Sequence, residues 1–142
     1  MPTIPWLPGA DKATAPAPGG SATAVVMASR LELRSLLSVP RFFVLSLVIL
    51  RQVRAAEGSI GVSLRAEPLK RTFWTLSAWR DQRSLDAFAR TDPHAVSVRR
   101  LRPGMKRALF VFWRTGHDQL PVSWDDARRR LAEQAEREAP AA

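Results

Sequence analysis

Apolar and polar side chains alternate along four stretches of the chain, and a period of two is the signature of β-strands. The stretches are Thr23–Leu33 and residues 60–64, 71–79 and 108–113. The third and fourth stretches carry bulky apolar residues on both faces, which is typical of strands that are covered on both sides. The sequence therefore predicts a sheet of four strands, two of them buried on both faces.

A helix is predicted between the first two strands. Pro40 suits its first turn, where the missing N–H is harmless, and Gly58 stops it. Residues 42–50 are apolar nearly all round the helix. Because a surface helix shows one polar face, we expect one side of this helix on the sheet and the other against a second element, a ligand or a second subunit.

Two shorter helices are predicted between the third and fourth strands. Asp81 has the position of an N-cap for the first, whose apolar stripe includes Leu85 and Phe88. Proline disfavours helical geometry at Asp92, so this residue is taken as the N-cap of a fresh helix over residues 94–101. The order strand, helix, strand, strand, helix, strand is that of a split β-α-β unit, which predicts an α+β, ferredoxin-like fold.

The two ends of the chain are predicted to lie outside this unit, which covers residues 23–122. Residues 1–22 are rich in proline, glycine and alanine, which predicts a flexible tail. A capping-box sequence opens a charged helix, so residues 123–142 are expected to form a peripheral C-terminal helix and tail. Three apolar residues have the size to anchor the start of the N-terminal tail on the folded body: Ile4, Trp6 and Leu7.

A second copy of the chain is predicted to cover the face of the sheet that the helices leave open. Phenylalanine, tryptophan and leucine line both sides of the third and fourth strands, and such a surface is not left to water. Packing of sheet against sheet in a homodimer is the simplest solution, and the result is a dimeric α/β barrel.

Length and cysteine content narrow the class of protein. At 142 residues and 15.8 kDa the chain suits a single domain that buries about 68% of its unfolded surface. The absence of cysteine removes disulfides, thiolate metal sites and cysteine nucleophiles, and favours a cytoplasmic location. The N-terminal residues lack the pattern of a signal peptide, and residues 42–50 fall short of the roughly 20 needed to cross a bilayer, so no membrane span is predicted.

The charge points towards an anionic partner without identifying one. The chain contains 22 basic and 13 acidic residues, which gives a formal net charge of +9. The basic residues scatter over several predicted elements, and residues 71–76 lack the glycines of the RNA-binding strand motif. Nucleic-acid binding is therefore a minor alternative and is disfavoured.

His94 is the side chain best placed for chemistry. It begins a predicted helix and shares a face with Val98 and Leu101, so its ring is expected to point along an apolar stripe towards the sheet. A helix N-terminus disfavours the imidazolium, which leaves a neutral ring able to accept a proton or bind heme iron. The same pattern fits a core or capping histidine without chemistry. The other histidine, His117, is expected in a solvated loop.

An apolar sheet with sparse polar points is typical of a pocket for a hydrophobic small molecule. The polar candidates are Ser29, Arg65, Ser77 and His94. The candidate walls are Trp74, Trp79 and Trp113, for which ordinary core filling is the alternative. No arrangement of metal-ligand spacing, nucleotide loop or serine elbow is present, so no dedicated metal site is predicted.

Residues 71–81, followed by Leu85, Phe88 and the Asp92-Pro93-His94 segment, resemble the strand-to-helix core of the antibiotic biosynthesis monooxygenase-like superfamily of dimeric α/β barrels. They are also similar to the spheroidene monooxygenase-like branch. The resemblance covers residues 23–115. It implies protomers that pair through their sheets and a pocket between sheet and helices. Members include cofactor-independent oxygenases of polycyclic aromatic polyketides, heme-degrading oxygenases and proteins without assigned activity.

The heme-degrading members use an asparagine, a tryptophan and a histidine, and this chain departs from that pattern at each position. The resemblance aligns Ser29 with the asparagine, Phe88 with the tryptophan and Val98 with the histidine, and His94 lies one turn earlier. Heme degradation by that route is therefore disfavoured, while ligation of heme by His94 stays open.

The residues and the resemblance together predict a monooxygenase-like protein that binds an aromatic-polyketide-like or polyene-like molecule, with no cofactor or with heme. His94 would be the base or heme ligand, Ser29 and Ser77 would orient polar atoms, and Arg65 would stabilise developing negative charge. The alternative is a non-catalytic protein of the same fold that binds or stabilises a small molecule or heme. The residues predicted to bind the substrate are Trp74, Ser77, Trp79, Phe88, Val98 and Trp113, of which the three tryptophans would form walls.

Overall fold

The fold is an α+β arrangement in which helices cover both faces of one antiparallel sheet. A computed structural model describes residues 3–9, 23–91, 94–116, 120 and 122–138. Five strands form the sheet in the spatial order β1-β3-β4-β2-β5. The strands are β1 (Thr3–Pro8), β2 (Thr23–Leu33), β3 (Ser59–Glu67), β4 (Thr72–Trp79) and β5 (Met105–Gly116). The helices are α1 (Val39–Ala55), α2 (Gln82–Arg90), α3 (His94–Leu101) and α4 (Trp124–Glu138).

The predicted ferredoxin-like order of elements from β2 to β5 is confirmed. The bounds of β2 agree with the prediction at both ends, and Pro40 lies in the first turn of α1. The side chain of Asp81 accepts a hydrogen bond from the Ser84 N–H, so the predicted N-cap of α2 is also confirmed. Asp92, the predicted cap of α3, lies outside the described residues.

The first strand corrects the prediction of a flexible tail over residues 1–22. Residues 3–8 pair with β3 at the edge of the sheet, and Ile4 and Leu7 pack against its core. Trp6 lies on Gly61 so closely that a Cβ there would come within 2.3 Å of the indole. Glycine therefore permits the strand to dock, because any side chain at that position would displace it. Residues 10–22 lie outside the described part of the chain.

Helices α1, α2 and α3 lie on one face of the sheet, which we call the helix face. Alternate residues of each strand point to this face, among them Met27 and Ser29 of β2 and Ser77 and Trp79 of β4. The core between helices and sheet is apolar. Its buried members include Leu50 and Val53 of α1 and Leu85 and Phe88 of α2.

The opposite face of the sheet is covered by α4. This corrects the prediction of a peripheral C-terminal helix, while the homodimer stays a prediction that has lost the support of an open face. Ala127 and Leu131 are 0% and 1% exposed, so the C-terminal helix is part of the core and is not peripheral. The guanidinium of Arg130 lies 4.5 Å from the centre of the Trp113 ring, which adds a cation–π contact. Because α4 occupies the face that was predicted to receive a second copy, the argument for sheet-to-sheet pairing no longer holds. The strand residues buried beneath α4 include Ala24, Val26, Ala28, Leu76, Leu109 and Val111.

The apolar part of the first predicted helix is longer than residues 42–50. By length and composition, Leu36–Ala55 passes as a candidate membrane span, and 17% of its most apolar window is buried in the fold. One such helix is weak evidence of a membrane protein, because a packed helix of a globular fold passes the same test. Phe42, Leu50 and Val53 are buried against the sheet. The outer side of α1, which includes Val44 and Val48, is left exposed.

Substitution of Asp81 by alanine is expected to destabilise the protein by about 0.5–2 kcal/mol near neutral pH, since α2 loses its N-cap. The Ser84 backbone and side-chain hydrogen bonds hold the pKa of Asp81 below its ordinary value, against a small opposing effect of burial. A carboxylate with a lowered folded-state pKa stabilises the fold above its unfolded pKa and loses that effect as pH falls through the folded pKa. The difference between wild type and Asp81→Ala in urea unfolding should therefore shrink in acid. Asp81→Asn keeps the cap and should stay close to wild type at neutral pH; a large loss there would contradict the capping role.

Candidate functional site

A cavity of about 180 Å³ lies between the helix face of the sheet, α1 and α3. This volume is close to the roughly 150 Å³ of an apolar cavity that binds benzene. Its walls are almost entirely apolar and carry a few polar points, as small-molecule sites do. The structure brings five of the predicted site residues together at this cavity, namely Ser29, Ser77, Phe88, His94 and Val98.

His94 is held at the start of α3 with its ring against the cavity. Its Nδ1 lies 3.0 Å from the carbonyl oxygen of Ala89. A carbonyl can only accept, so a neutral His94 ring must carry its proton on Nδ1, and Nε2 is left as a proton acceptor. Among the described residues Nε2 has no hydrogen-bond partner. The ring also packs on Phe88, with 4.7 Å between ring centres, which fixes its orientation.

The position of His94 depends on Gln52, which the sequence analysis did not single out. The Gln52 side chain accepts a hydrogen bond from the His94 backbone N–H at 2.8 Å and donates to the Thr91 carbonyl at 3.1 Å. One side-chain amide thereby bonds to a backbone carbonyl at the end of α2 and to a backbone N–H at the start of α3. Gln52 lies between Arg51 and Arg54 in the polar last part of α1. Nothing in this sequence context sets it apart, and its partners could not be identified without the fold.

Hydroxyl groups on β2 and β4 supply the polar points on the sheet side of the cavity. Ser29 and Thr75 are opposite each other on neighbouring strands, and their hydroxyls share a hydrogen bond. Two hydroxyls carry two hydrogens and this bond uses one, so the other can be donated to a ligand. Ser77 accepts a hydrogen bond from the Trp79 Nε1–H at 2.9 Å, which leaves its own hydrogen available as well.

Trp79 packs behind the cavity wall and contacts two of the lining residues. It is fully buried and does not line the cavity. Its ring packs on Phe88 with 5.0 Å between ring centres, while its N–H holds Ser77. The predicted wall residue is therefore a second layer that fixes the orientation of two lining residues.

Arg65, Trp74 and Trp113 are not brought to this cavity. Arg65 and Trp74 point to the opposite face of the sheet, where the Arg65 guanidinium lies 5.6 Å from the ring centre of Trp124. Trp113 lies on that face too, beneath Arg130. The physical reason is that successive side chains of a strand point to opposite faces of the sheet. Each of these three residues occupies a position of its strand that points away from the cavity. The second histidine, His117, lies outside the described residues.

One charged side chain at the cavity was missed. Arg102 follows α3 in a short 3-10 turn and lines the cavity together with Met105. Farther along β5, away from Arg102, Phe110 lines the cavity and Phe112 lies next to it on the same face, and both rings are about half exposed. Arg102 was treated with the scattered basic residues because a turn gives no periodicity from which to infer its direction.

The cavity does not fit a heme group. Its volume suits about one benzene-sized ring, whereas a porphyrin contains four pyrrole rings. His94 has a nitrogen suitable for iron, but a porphyrin bound to it would have to lie largely outside a cavity of about 180 Å³. Within the described residues, no group of three or more histidine, cysteine, aspartate or glutamate side chains is arranged to hold a metal ion.

No family model matches the chain, and no curated protein matches its sequence. Solved structures do match its fold. SnoaB, a cofactor-independent oxygenase from Streptomyces nogalater, aligns with a TM-score of 0.56 at 13% identity, covering 69% of this chain and 97% of that one. An antibiotic biosynthesis monooxygenase aligns with a TM-score of 0.58 at 12% identity, covering 63% and 95%. A conserved protein from Methanosarcina mazei aligns with a TM-score of 0.59 at 19% identity, covering 66% and 93%.

These likenesses show the fold. The chain has the architecture of antibiotic biosynthesis monooxygenase-like proteins, as its strand-to-helix segment indicated, with an added C-terminal helix. At identities of 12% to 19%, substrate and activity do not follow from the likeness.

Proposed function

We propose that this chain is a monooxygenase-like protein that binds a hydrophobic aromatic molecule between the sheet and helices α1 and α3. The observation that carries the proposal is the apolar cavity with His94 Nε2 and two hydroxyl donors at its walls. One ring of the ligand fills the cavity, and further rings extend over the exposed faces of Phe110 and Phe112. An aromatic polyketide or a polyene has this shape.

The proposed reaction uses molecular oxygen as the oxidant and the ligand as the reductant. His94 Nε2 takes a proton from an acidic carbon or phenol of the ligand, and the hydroxyls of the Ser29–Thr75 pair and Ser77 stabilise the negative oxygen that results. The electron-rich anion then reacts with oxygen to form a carbon–oxygen bond. Breakage of the O–O bond leaves one oxygen atom in a new carbonyl group and releases the other as water. For anthrone the products would be anthraquinone and one molecule of water.

A non-catalytic binding protein is the second candidate. The observation that favours it is the small number of ionisable groups at the cavity, where His94 and Arg102 are the described ones. A binding protein would hold the same ligands without consuming oxygen. The two candidates therefore share the binding test and differ in oxygen uptake.

Replacement of Val98 by phenylalanine is expected to weaken ligand binding about tenfold or more, because a larger side chain fills a cavity of about 180 Å³. The measurement is calorimetric titration with naphthol, an aromatic phenol of which one ring can occupy the cavity. Val44→Phe is the matched control, since Val44 lies on the outer side of α1 and is 59% exposed. Equal affinity in Val98→Phe and wild type, with melting temperatures unchanged, would exclude this cavity as the site.

A further inference from the structure

Three turns meet at one end of the sheet and carry an unusual combination of charge and apolar exposure. We call residues 32–37, 67–71 and 102–107 the basic end. Leu33 N–H donates to the Arg71 carbonyl and Arg34 N–H donates to the Gly104 carbonyl, both at 2.9 Å. Arg71 has a left-handed backbone, with φ of 54°, and its guanidinium reaches the Arg34 carbonyl. The turns are therefore tied to one another and form one surface.

Leucine side chains protrude from this surface into solvent. Leu37 is 92% exposed and Leu69 is 90% exposed, and each lies on a separate 3-10 turn. Leu36 is about half exposed beside Leu37. At this exposure, packing within the described part of the chain does not account for the two outermost leucines.

The charge of the basic end is strongly positive. It contains six basic residues against Glu32 and Glu67, both of which are already in ion pairs, with Arg30 and Lys70. Five of the six form no ion pair with a carboxylate of the described residues. They are Arg34, Arg71, Arg102, Lys106 and Arg107.

We propose that the basic end docks on the surface of an anionic lipid bilayer, with Leu37 and Leu69 inserted below the headgroups. Surfaces that bind at the membrane interface combine arginine and lysine with protruding apolar side chains. The anionic lipids attract the cations, and the leucines leave water for the bilayer. Charge complementarity selects the bilayer over a second copy, because two basic ends brought together would repel each other. Arg102 and Met105 belong both to this end and to the cavity wall, so docking brings this part of the cavity wall close to the lipid.

The test is co-sedimentation of the full chain with phosphatidylcholine vesicles, with and without phosphatidylglycerol. We expect binding to require the anionic lipid and to weaken with salt. The double variant Leu37→Ser, Leu69→Ser should bind at least about tenfold more weakly. Its melting temperature should match wild type because both leucines are exposed. Val48→Ser is the apolar control, since Val48 lies about 14 Å along α1 from its first residue.

Two charge-reversal variants test the contribution of the basic residues. Arg34→Glu should reduce vesicle binding, whereas Arg83→Glu should not, because Arg83 follows the far end of β4. Equal binding with and without phosphatidylglycerol, or equal binding of the leucine variant and wild type, would overturn the proposal. Self-association that the leucine variant abolishes, without vesicle binding by wild type, would overturn it in favour of an interface between copies. None of these results depends on the ligand of the cavity.

Discussion

Replacement of His94 by asparagine is expected to slow oxygen consumption about 10²–10⁴-fold, the effect of removing a general base. The asparagine amide can still donate to the Ala89 carbonyl, as His94 Nδ1 does, but it offers no basic nitrogen in place of Nε2. Ligand affinity should change little, because the apolar walls are untouched. The measurement is oxygen uptake with saturating anthrone, corrected for its uncatalysed oxidation, beside the dissociation constant of naphthol.

His117→Asn is the matched control, since it makes the same chemical change at the chain's other histidine. It should leave oxygen uptake unchanged. Equal rates in His94→Asn and wild type would remove His94 as the proton acceptor. Binding of naphthol without any protein-dependent oxygen uptake would instead favour the non-catalytic candidate.

Replacement of Leu131 by alanine is expected to destabilise the protein by about 2–5 kcal/mol, since it leaves a cavity between α4 and the sheet. Leu131 is 1% exposed and packs with Ala127 on buried strand residues such as Leu109. At roughly 3 °C for each kcal/mol in a chain of this size, the melting temperature should fall by about 6–15 °C. Urea unfolding and thermal melting both measure the loss.

Leu69→Ala is the control for this substitution. It removes the same atoms from a leucine that is 90% exposed, and the expected cost is below about 0.5 kcal/mol. A similarly small cost at Leu131 would mean that α4 is peripheral after all. The face beneath it would then be open to a second copy, and sedimentation should detect a dimer.

Much of the fold could be predicted from the sequence because its signals are local. The alternation over β2, the proline at the start of α1 and the capping aspartate of α2 each act within a few residues. The placement of His94 at the start of α3 followed from the proline before it. Each of these signals acts on the backbone of a few neighbouring residues, so it can be interpreted without knowledge of the fold.

The strand at the N-terminus and the role of α4 could not be predicted in this way. The β1 strand forms because Gly61, more than fifty residues away, leaves room for Trp6. The α4 helix has a narrow apolar stripe, and its charges concealed that Arg130 packs on Trp113. Both depend on contacts between distant parts of the chain, whose free energy local composition does not report.

The sequence by itself determined the order of strands and helices, the apolar character of α1 and the place of His94 on a helix start. The tertiary structure decided which candidates meet. It joined His94 with the hydroxyls of Ser29 and Ser77 and placed Arg65 and Trp74 beyond the sheet. It also gathered basic residues from three separate turns at one end of the molecule. The physical reason is that side-chain direction along a strand is local, whereas the partner a side chain faces is fixed only when strands pair and helices pack upon them.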